Sequence, residues 1–271
     1  MRLLPVERAA PLMAHRGVDV ARALRLFSDE LAAAGAAQTG GAFTVLPEAD
    51  AFVKRCPEAF LIGVLFTQGV PAERAWAAPY VLAERLGHFD LSRLAAEPGP
   101  VAAAIAAPPA LHRFVHTLPV WVCAAAARVL RDYGGSAVAI WEPGTHVLEV
   151  TRRLLEFDGI GEKKAAMAVE LLMRYFGVHL EGAECGSVAY DVHVRRVFLR
   201  SGLAAEDTPA AIRAAAQRAC PEAPGSLDLA AWLVGRDWCR PREPRCEACR
   251  LSPDCPKLVE RNAPGVGGRR A

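Results

Sequence analysis

Four cysteines near the C-terminus have a spacing that is typical of a metal or iron–sulfur centre. They are Cys239, Cys246, Cys249 and Cys255, in the pattern C-x6-C-x2-C-x5-C, which gathers four thiols within seventeen residues. One soft centre can bind all four thiolates, whereas zinc sites more often use two short pairs separated by a longer spacer. The alternatives are a disulfide pair and a C-x2-C redox motif, but a redox pair would not need the outer two cysteines, and nothing in the sequence marks a secreted protein. The spacing therefore favours a [4Fe-4S] cluster over zinc.

The cysteine loop also carries arginines that could contact phosphates. Arg240, Arg242, Arg245 and Arg250 lie between or beside the cysteines. A rigid loop would hold their guanidinium groups in place, so that little entropy is lost on binding. The alternative is a solvated surface, because a net charge of +2 does not by itself indicate a nucleic-acid partner. The local cluster of arginines favours a DNA-facing loop.

A second motif, FDGIGEKKA at residues 157–165, predicts a tight turn between two helices. Gly159 and Gly161 permit unusual backbone angles and let a ligand approach, while Ile160 can pack into the core. The next helix begins at Glu162, so the free N–H groups of its first turn point outward together with those of the hairpin. The motif predicts a DNA phosphate site that includes Lys164. The alternative is an ordinary turn between helices.

Composition predicts an all-α protein. Apolar residues make up 52% of the 271 residues, alanine is abundant, and the alternation typical of strands is scarce. No apolar run reaches the roughly eighteen residues that a membrane helix needs, and the N-terminus lacks a clean signal peptide. We therefore expect a cytoplasmic protein. The apolar spacing predicts helices at residues 18–34, 59–68, 71–86, 118–133, 145–155, 162–176, 190–201, 209–220 and 226–238, with Thr145 as the N-cap of the fifth.

Together these motifs resemble the helix-hairpin-helix DNA glycosylase superfamily, and specifically its endonuclease III branch, over residues 57–258. The family hairpin reads L-P-G-V-G-x-K-T-A where this chain has FDGIGEKKA, which implies that Lys163 is the catalytic lysine. The family motif V-D-T-H-x-x-R-V corresponds to YDVHVRRV at residues 190–197, which implies that Asp191 is the catalytic aspartate. The segments AAWLVGRDWC and CRPREPRC are similar to the family's entry into its iron–sulfur cluster loop.

The resemblance also implies an architecture and a partner. It predicts a two-lobed all-α fold, with a helical barrel domain containing the hairpin at residues 50–180. Residues 1–49 and 181–271 would form the second lobe, an N-terminal segment packed with the [4Fe-4S] cluster domain. The implied partner is double-stranded DNA with a damaged base or an abasic site. We expect a monomer that associates with the nucleoid when it is bound to DNA.

An enzyme that acts on a base in duplex DNA must extract that base from the stack, so it needs a wedge and a pocket. The segment LFTQG resembles the family segment whose glutamine fills the space left by the flipped nucleotide, which implies Gln68. A second DNA-inserting loop is expected at residues 111–114. There Phe114 or Leu111 could intercalate and Arg113 could hold a phosphate. The alternative for these apolar residues is a place in the core.

The chemistry implied for the catalytic pair can be argued from the side chains. A lysine is a nucleophile only when it is neutral. The positive end of the helix dipole and the adjacent Lys164 both disfavour the ammonium form of Lys163. Asp191 could stabilise the positive charge that develops on the sugar as the base leaves. In the alternative interpretation, Lys163 contacts a phosphate and Asp191 is a helix N-cap.

Two departures from the family pattern concern the substrate, which in the family is typically an oxidised pyrimidine. The interval from Lys163 to Asp191 is longer, with extra residues at 179–188, and Tyr190 replaces a small aliphatic residue and is a candidate for the lesion pocket. A monofunctional glycosylase for uracil, mismatched or alkylated bases stays open. So does a non-catalytic iron–sulfur DNA-binding protein, although binding alone requires neither Lys163 nor Asp191.

Overall fold

The computed structural model describes residues 10–37, 44 and 46–262. Its regular structure is helical apart from one isolated parallel bridge between His146 and Glu181. In the described ranges, no helix is both long enough and apolar enough to cross a membrane. The helices are α1 (Ala10–Ala37), α2 (Pro47–Arg55), α3 (Pro57–Phe66), α4 (Ala72–Leu86), α5 (Leu91–Ala96), α6 (Pro98–Ala106), α7 (Thr117–Asp132), α8 (Val147–Leu155), α9 (Glu162–Tyr175), α10 (Val192–Arg200), α11 (Pro209–Ala219) and α12 (Asp228–Asp237).

The all-α prediction is confirmed, and each helix predicted from apolar spacing has a counterpart. The helices α2, α5 and α6 were not predicted, because they are short and α2 and α6 begin at prolines. The prediction that Thr145 caps α8 is wrong. The cap is His146, whose ring nitrogen Nδ1 accepts the N–H of Leu148 at 3.2 Å.

The chain divides into two compact units. The larger unit is Ala34–Gly182, and the smaller one comprises Met1–Ala33 and Ala183–Ala271. The second boundary lies close to the sequence-based one at residue 180. The first differs, because residue 50 falls inside α2, which packs against α3 and α4 in the larger unit.

The larger unit is built around α3, whose sequence PEAFLIGVLF is buried from Ala59 to Phe66. A helix that is apolar on all sides belongs in the middle of a core. Phe60 stacks on Trp76 and meets the rings of Trp141 and Phe176 edge to face. Gly63 lets Trp76 approach, since a Cβ atom there would lie 2.7 Å from the indole ring. The central position of α3 fixes where its C-terminal end, and hence Gln68, emerges.

The core of the smaller unit lies between α10 and α12, with α1 packed onto it. The contact between α10 and α12 is close because Gly235 faces His193. A Cβ atom at Gly235 would lie 2.7 Å from the carbonyl oxygen of His193. Val194 and Phe198 of α10 and Val234 of α12 are buried in this core. This packing places the start of α10, where Asp191 lies, beside the helix that leads into the cysteine loop.

The start of the extra segment at residues 179–188 is held by backbone hydrogen bonds. The N–H of Gly144 donates to the carbonyl of His179 at 2.8 Å, and Val147 and Glu181 are linked in the same way at 2.8 Å. The imidazole of His146 covers Gly182, whose φ of +74° and close ring contact exclude any side chain. The start of the segment, residues 179–182, is thus anchored to residues 144–147.

Candidate functional site

The predicted hairpin is formed by residues 157–161 between α8 and α9. Ile160 is buried, as expected, and its N–H donates to the carbonyl of Phe157 at 3.0 Å. Gly159 has a φ of +85°, and a Cβ atom there would lie 2.4 Å from the indole of Trp121 on α7. Gly161 is the N-cap of α9, with an ordinary φ of −98° and open space where a Cβ would be. The turn therefore needs one glycine for its backbone, and the open space at the other leaves room for a ligand.

The two lysines after the turn have opposite environments. Lys163 is exposed in the first turn of α9. Lys164 is only 7% exposed, and its Nζ donates to the carbonyl of Leu65 at 2.8 Å. Burial, with a smaller contribution from the charge of Lys163, lowers the pKa of Lys164 to about 8. The prediction of Lys164 as a DNA contact is wrong in this structure, because its side chain lies inside the protein.

The two loops predicted to enter DNA lie side by side in the larger unit. The ring nitrogen Nε2 of buried His112 lies 2.7 Å from the carbonyl oxygen of Gln68, whose residue is exposed. Arg113 is exposed, stacks over the ring of Phe114 at 4.6 Å and covers Gly69, where a Cβ would lie 2.5 Å from the guanidinium. The structure thus brings Gln68, Arg113 and Phe114 together on one surface.

Leu111, the other intercalation candidate, is 6% exposed and belongs to the core. Its N–H donates to the carbonyl of Ile105 at 2.9 Å, which fixes it below the loop. Of the two apolar candidates, only half-buried Phe114 is accessible.

Asp191 is buried and is the N-cap of α10. Its Oδ1 accepts the N–H of His193 at 2.7 Å, which satisfies one of the free donors at the start of the helix. The alternative interpretation, in which Asp191 is the N-cap of a helix, is therefore correct for its structural role. The same hydrogen bond holds the carboxyl group of Asp191 in one position, as a charge-stabilising role would also require.

The four cysteines line one cavity in the smaller unit. Apolar side chains and buried Arg200 complete its wall, among them Val197, Val234, Trp238 and Leu251. Burial raises the pKa of Cys249 to about 11 and also raises the pKa values of Cys239 and Cys255. Thiols in such a wall stay protonated unless a cationic centre replaces the protons.

The four cysteines border one cavity, and an iron–sulfur cluster held by them stays a prediction. In the part of the chain that the structure describes, no three His, Cys, Asp or Glu side chains converge closely enough for one metal ion. A cluster instead binds each thiolate at a different iron, so its ligands surround a volume. Donors also point at the sulfurs: the N–H of Lys257 lies 3.4 Å from Cys255 Sγ, and Arg200 Nη1 lies 4.0 Å from Cys239 Sγ.

Two buried arginines of α10 hold the start of the cysteine loop. Arg196 Nε donates to the carbonyl of Cys239 at 2.6 Å. Arg200, four residues later, donates to the carbonyls of Arg240 at 2.6 Å and Pro241 at 3.1 Å. Sequence reasoning placed no role on either arginine, because arginines are usually exposed. Their spacing of four, which puts both on one face of the helix, was the available signal.

The arginines of the cysteine loop differ in exposure. Arg242 and Arg245 are exposed, while Arg240 is half-buried. Arg250 pairs with Glu30 at 3.1 Å and lies over the ring of Phe27, so it joins α1 to the loop. Arg242 and Arg245 are thus the loop side chains best placed to meet a phosphate.

Tyr190, the candidate for the lesion pocket, is half-buried beside Asp191. Its hydroxyl donates to Oδ1 of Asp207 at 3.0 Å, and Arg195 lies over its ring while pairing with Asp207 at 2.7 Å. These contacts fix Tyr190 within the smaller unit, and its role toward a lesion stays a prediction.

Two solved structures share this architecture. A trapped endonuclease III–DNA covalent intermediate, an estranged-adenine complex, aligns with a TM-score of 0.55 and 19% identity over 89% of this chain and 98% of its own. A thermostable thymine-DNA glycosylase aligns with a TM-score of 0.59 and 16% identity over 88% of this chain and 98% of its own. The chain has the helix-hairpin-helix DNA glycosylase fold. No protein-family model and no curated protein matches it.

The likeness confirms the fold that the sequence motifs implied. In this helix-hairpin-helix fold, the hairpin of residues 157–161 joins α8 to α9, as the motif FDGIGEKKA predicted.

The sequence could also have indicated that Lys164 is buried. It lies four, seven and eight residues before Ala168, Leu171 and Leu172, the buried face of α9. Lys163 falls one position off this face.

Proposed function

We propose that the protein is a DNA glycosylase of base excision repair with an associated abasic-site lyase activity. The observation that carries the proposal is the exposed Lys163 in the first turn of α9, directly after the Gly159–Gly161 turn. A hairpin followed by the N-terminus of a helix suits a DNA phosphate. A binding site of that kind needs no lysine amine beside the sugar, whereas a lyase does.

In the proposed reaction, the neutral amine of Lys163 attacks C1′ of the damaged nucleotide, and the base leaves with the electron pair of the N-glycosidic bond and takes up a proton. The attached nitrogen loses a proton, and its electron pair then expels O4′ from C1′; O4′ takes up a proton as the sugar ring opens, which leaves an iminium ion, the Schiff base. Removal of a proton from C2′ then expels the 3′ phosphate and cleaves the strand. The carboxylate of Asp191 would stabilise the positive charge that develops on the sugar.

The proposed DNA contacts come from surfaces already described. Gln68 would fill the space of the flipped nucleotide, and Phe114 would enter the stack next to it. The N–H groups near Gly161, together with Arg113, Arg242 and Arg245, would contact phosphates. We propose double-stranded DNA as the partner and a monomer as the acting species, located in the cytoplasm and on the nucleoid.

We further propose that Cys239, Cys246, Cys249 and Cys255 hold a [4Fe-4S] cluster. When bound, the cluster would cross-link four thiolates and so keep the arginine-bearing loop in one conformation. Arg196 and Arg200 hold the backbone at the start of that loop from the protein side. None of the proposed bond-breaking steps passes through the cluster.

The proposed substrate class is an oxidised pyrimidine. It rests on the resemblance in sequence to the endonuclease III branch, while the residues that select the base are those of the lesion pocket, including Tyr190. Uracil, a mismatched base or an alkylated base would be the substrate of a monofunctional enzyme with the same fold.

Borohydride trapping on a duplex with a single abasic site tests the proposal. Wild-type protein should form a covalent adduct, because hydride reduces the iminium ion to a stable amine. Lys163→Ala should lose the adduct, and Lys54→Ala, which changes a lysine of α2 outside the hairpin, should retain it. Absence of an adduct from wild-type protein that binds the duplex would overturn the lyase activity and favour a monofunctional glycosylase or a binding protein.

A further inference from the structure

Lys164 belongs to the hairpin motif but has no part in the proposed reaction, although its contacts are specific. The Nζ–Leu65 hydrogen bond, 2.8 Å long, joins α9 to the C-terminal end of α3. The carbonyls of the last helical turn lack helical partners and carry partial negative charge, so a cation there is favourable. Lys164 Nζ also lies 5.8 Å from the centre of the Trp121 ring, which covers Gly159 of the hairpin.

The turn that follows α3 is held at two points. At its beginning, Lys164 holds the carbonyl of Leu65. Three residues later, the carbonyl of Gln68 meets Nε2 of His112 at 2.7 Å. Between them the N–H of Gln68 donates to the carbonyl of Phe66 at 2.8 Å. We call residues 67–70 the Gln68 turn.

His112 transmits this anchoring to the second loop. Its Nδ1 accepts the N–H of Phe114 at 3.0 Å, so in the neutral ring the proton is on Nε2 and is donated to Gln68. Burial lowers the pKa of His112 and so favours the neutral ring; the hydrogen bond to Gln68 opposes this shift, and the nearby charges of Lys164, Arg113 and Arg74 add to it. The Gln68 turn and Phe114 are therefore positioned by one connected set of hydrogen bonds.

We propose that Lys164 is a positioning residue for base flipping: through its hydrogen bond to Leu65 it fixes the Gln68 turn, so that Gln68 can occupy the space left by an extruded nucleotide. The inference rests on the proposed function. It assigns Lys164 no contact with DNA and no part in bond breaking. Its effect on the DNA passes through Gln68.

A double-mutant cycle tests this. The probe is a duplex with a stable tetrahydrofuran abasic analogue, carrying 2-aminopurine opposite it, and binding is compared with that of the intact duplex. We expect Lys164→Met and Gln68→Ala each to reduce the preference for the abasic duplex by about five-fold, the size expected from one net hydrogen bond. The double variant should lose no more than Gln68→Ala alone, because both changes remove the same interaction.

Fluorescence of the 2-aminopurine reports separately how far its base is unstacked. Lys164→Met should change this signal as Gln68→Ala does, and the control Lys54→Met should leave both signal and preference unchanged. The inference is overturned if the double variant loses preference for the abasic duplex by the product of the two single losses. It is also overturned if Lys164→Met keeps the wild-type preference. Should Lys164→Met fail to fold, the cycle is run with Lys164→Thr, the residue that the family hairpin pattern carries at this position.

The wild-type measurement separates the two proposals. A wild-type protein without any preference for the abasic duplex would overturn the proposed function and this inference with it. If wild type has the preference but the losses in Lys164→Met and Gln68→Ala multiply in the double variant, only the role of Lys164 is overturned and the proposed function stands.

Discussion

The guanidinium of Arg196 donates to the carbonyl oxygen of Cys239 at 2.6 Å and so ties α10 directly to the first cysteine of the loop. The same side chain donates to the carbonyl of Gly235 at 2.7 Å and approaches Nδ1 of His193 at 3.0 Å. One buried cation thus satisfies carbonyls at the end of α12 and lies on the helix that Asp191 caps. Any loosening of the cysteine loop should therefore also affect the start of α10.

Replacing Arg196 with methionine should destabilise the protein by about 3 kcal/mol, because buried carbonyls lose their donor. Chemical denaturation of the two proteins measures the difference. Arg236→Met is the matched control on α12, since Arg236 is partly exposed and pairs with Asp237; its cost should stay below about 1 kcal/mol. Equal stabilities of Arg196→Met and wild type would contradict the structural role of Arg196.

The two hairpin glycines should respond differently to alanine. Gly159→Ala should cost more than about 1 kcal/mol, because the backbone has a φ of +85° and the new methyl group would collide with Trp121. Gly161→Ala, with an ordinary φ and open space, should be close to neutral in stability. Thermal unfolding of the pair measures this contrast. Similar melting temperatures for the two variants would show that Trp121 does not pack on the turn as described.

The hairpin could be predicted from sequence because its determinants are local. Two glycines around one apolar residue specify the turn, and the apolar spacing that follows specifies α9. The burial of Lys164 depends instead on which face of α9 meets α3. Successive residues are rotated by about 100° around a helix, so two adjacent lysines lie on different faces. Only the apolar positions further along α9 show which of the two faces α3. The roles of Arg196 and Arg200 depend on carbonyls some forty residues away in sequence, which no local pattern contains.

Arg242 and Arg245 should contribute to DNA affinity through phosphate contacts. Replacing both with alanine should weaken binding to all duplexes alike and reduce the slope of log K against log salt by about 1.8, from two phosphates at about 0.9 each. Binding titrations between low and moderate salt measure the slope. Arg131 and Arg152, which pair with Asp132 and Glu149 on α7 and α8, are the matched control pair. An unchanged slope in the Arg242, Arg245 variant would remove these residues from the interface.

Cys246→Ser should lower iron and acid-labile sulfide content and weaken duplex binding together, because the cluster is proposed to fix the arginine-bearing loop. Chemical analysis of purified protein and a binding titration measure the two quantities. Cys123→Ser changes a half-buried cysteine of the larger unit and should leave both unchanged. Full duplex affinity in a folded variant that lacks iron would refute the proposed role of the cluster.

The stability of the protein should rise with pH through the titration of Lys164. Its pKa is lowered to about 8, chiefly by burial and then by the charge of Lys163, whereas the unfolded chain has the ordinary value of 10.5. Between these values the unfolded state binds more protons than the folded state, so the free energy of unfolding increases as pH rises. Below pH 8 both states are protonated, and the penalty for burying the charge is constant.

Lys164→Met removes this titration, and the comparison cancels the tyrosines and cysteines that both proteins share. Between pH 7 and pH 9.5, wild type should gain on the order of 2 kcal/mol relative to Lys164→Met. Urea denaturation at the two values measures the gain, with Lys54→Met as a control that should follow wild type. Parallel pH dependence of wild type and Lys164→Met would mean that the amine of Lys164 is solvated in the folded protein. The hydrogen bond to Leu65 would then contribute little to the position of the Gln68 turn.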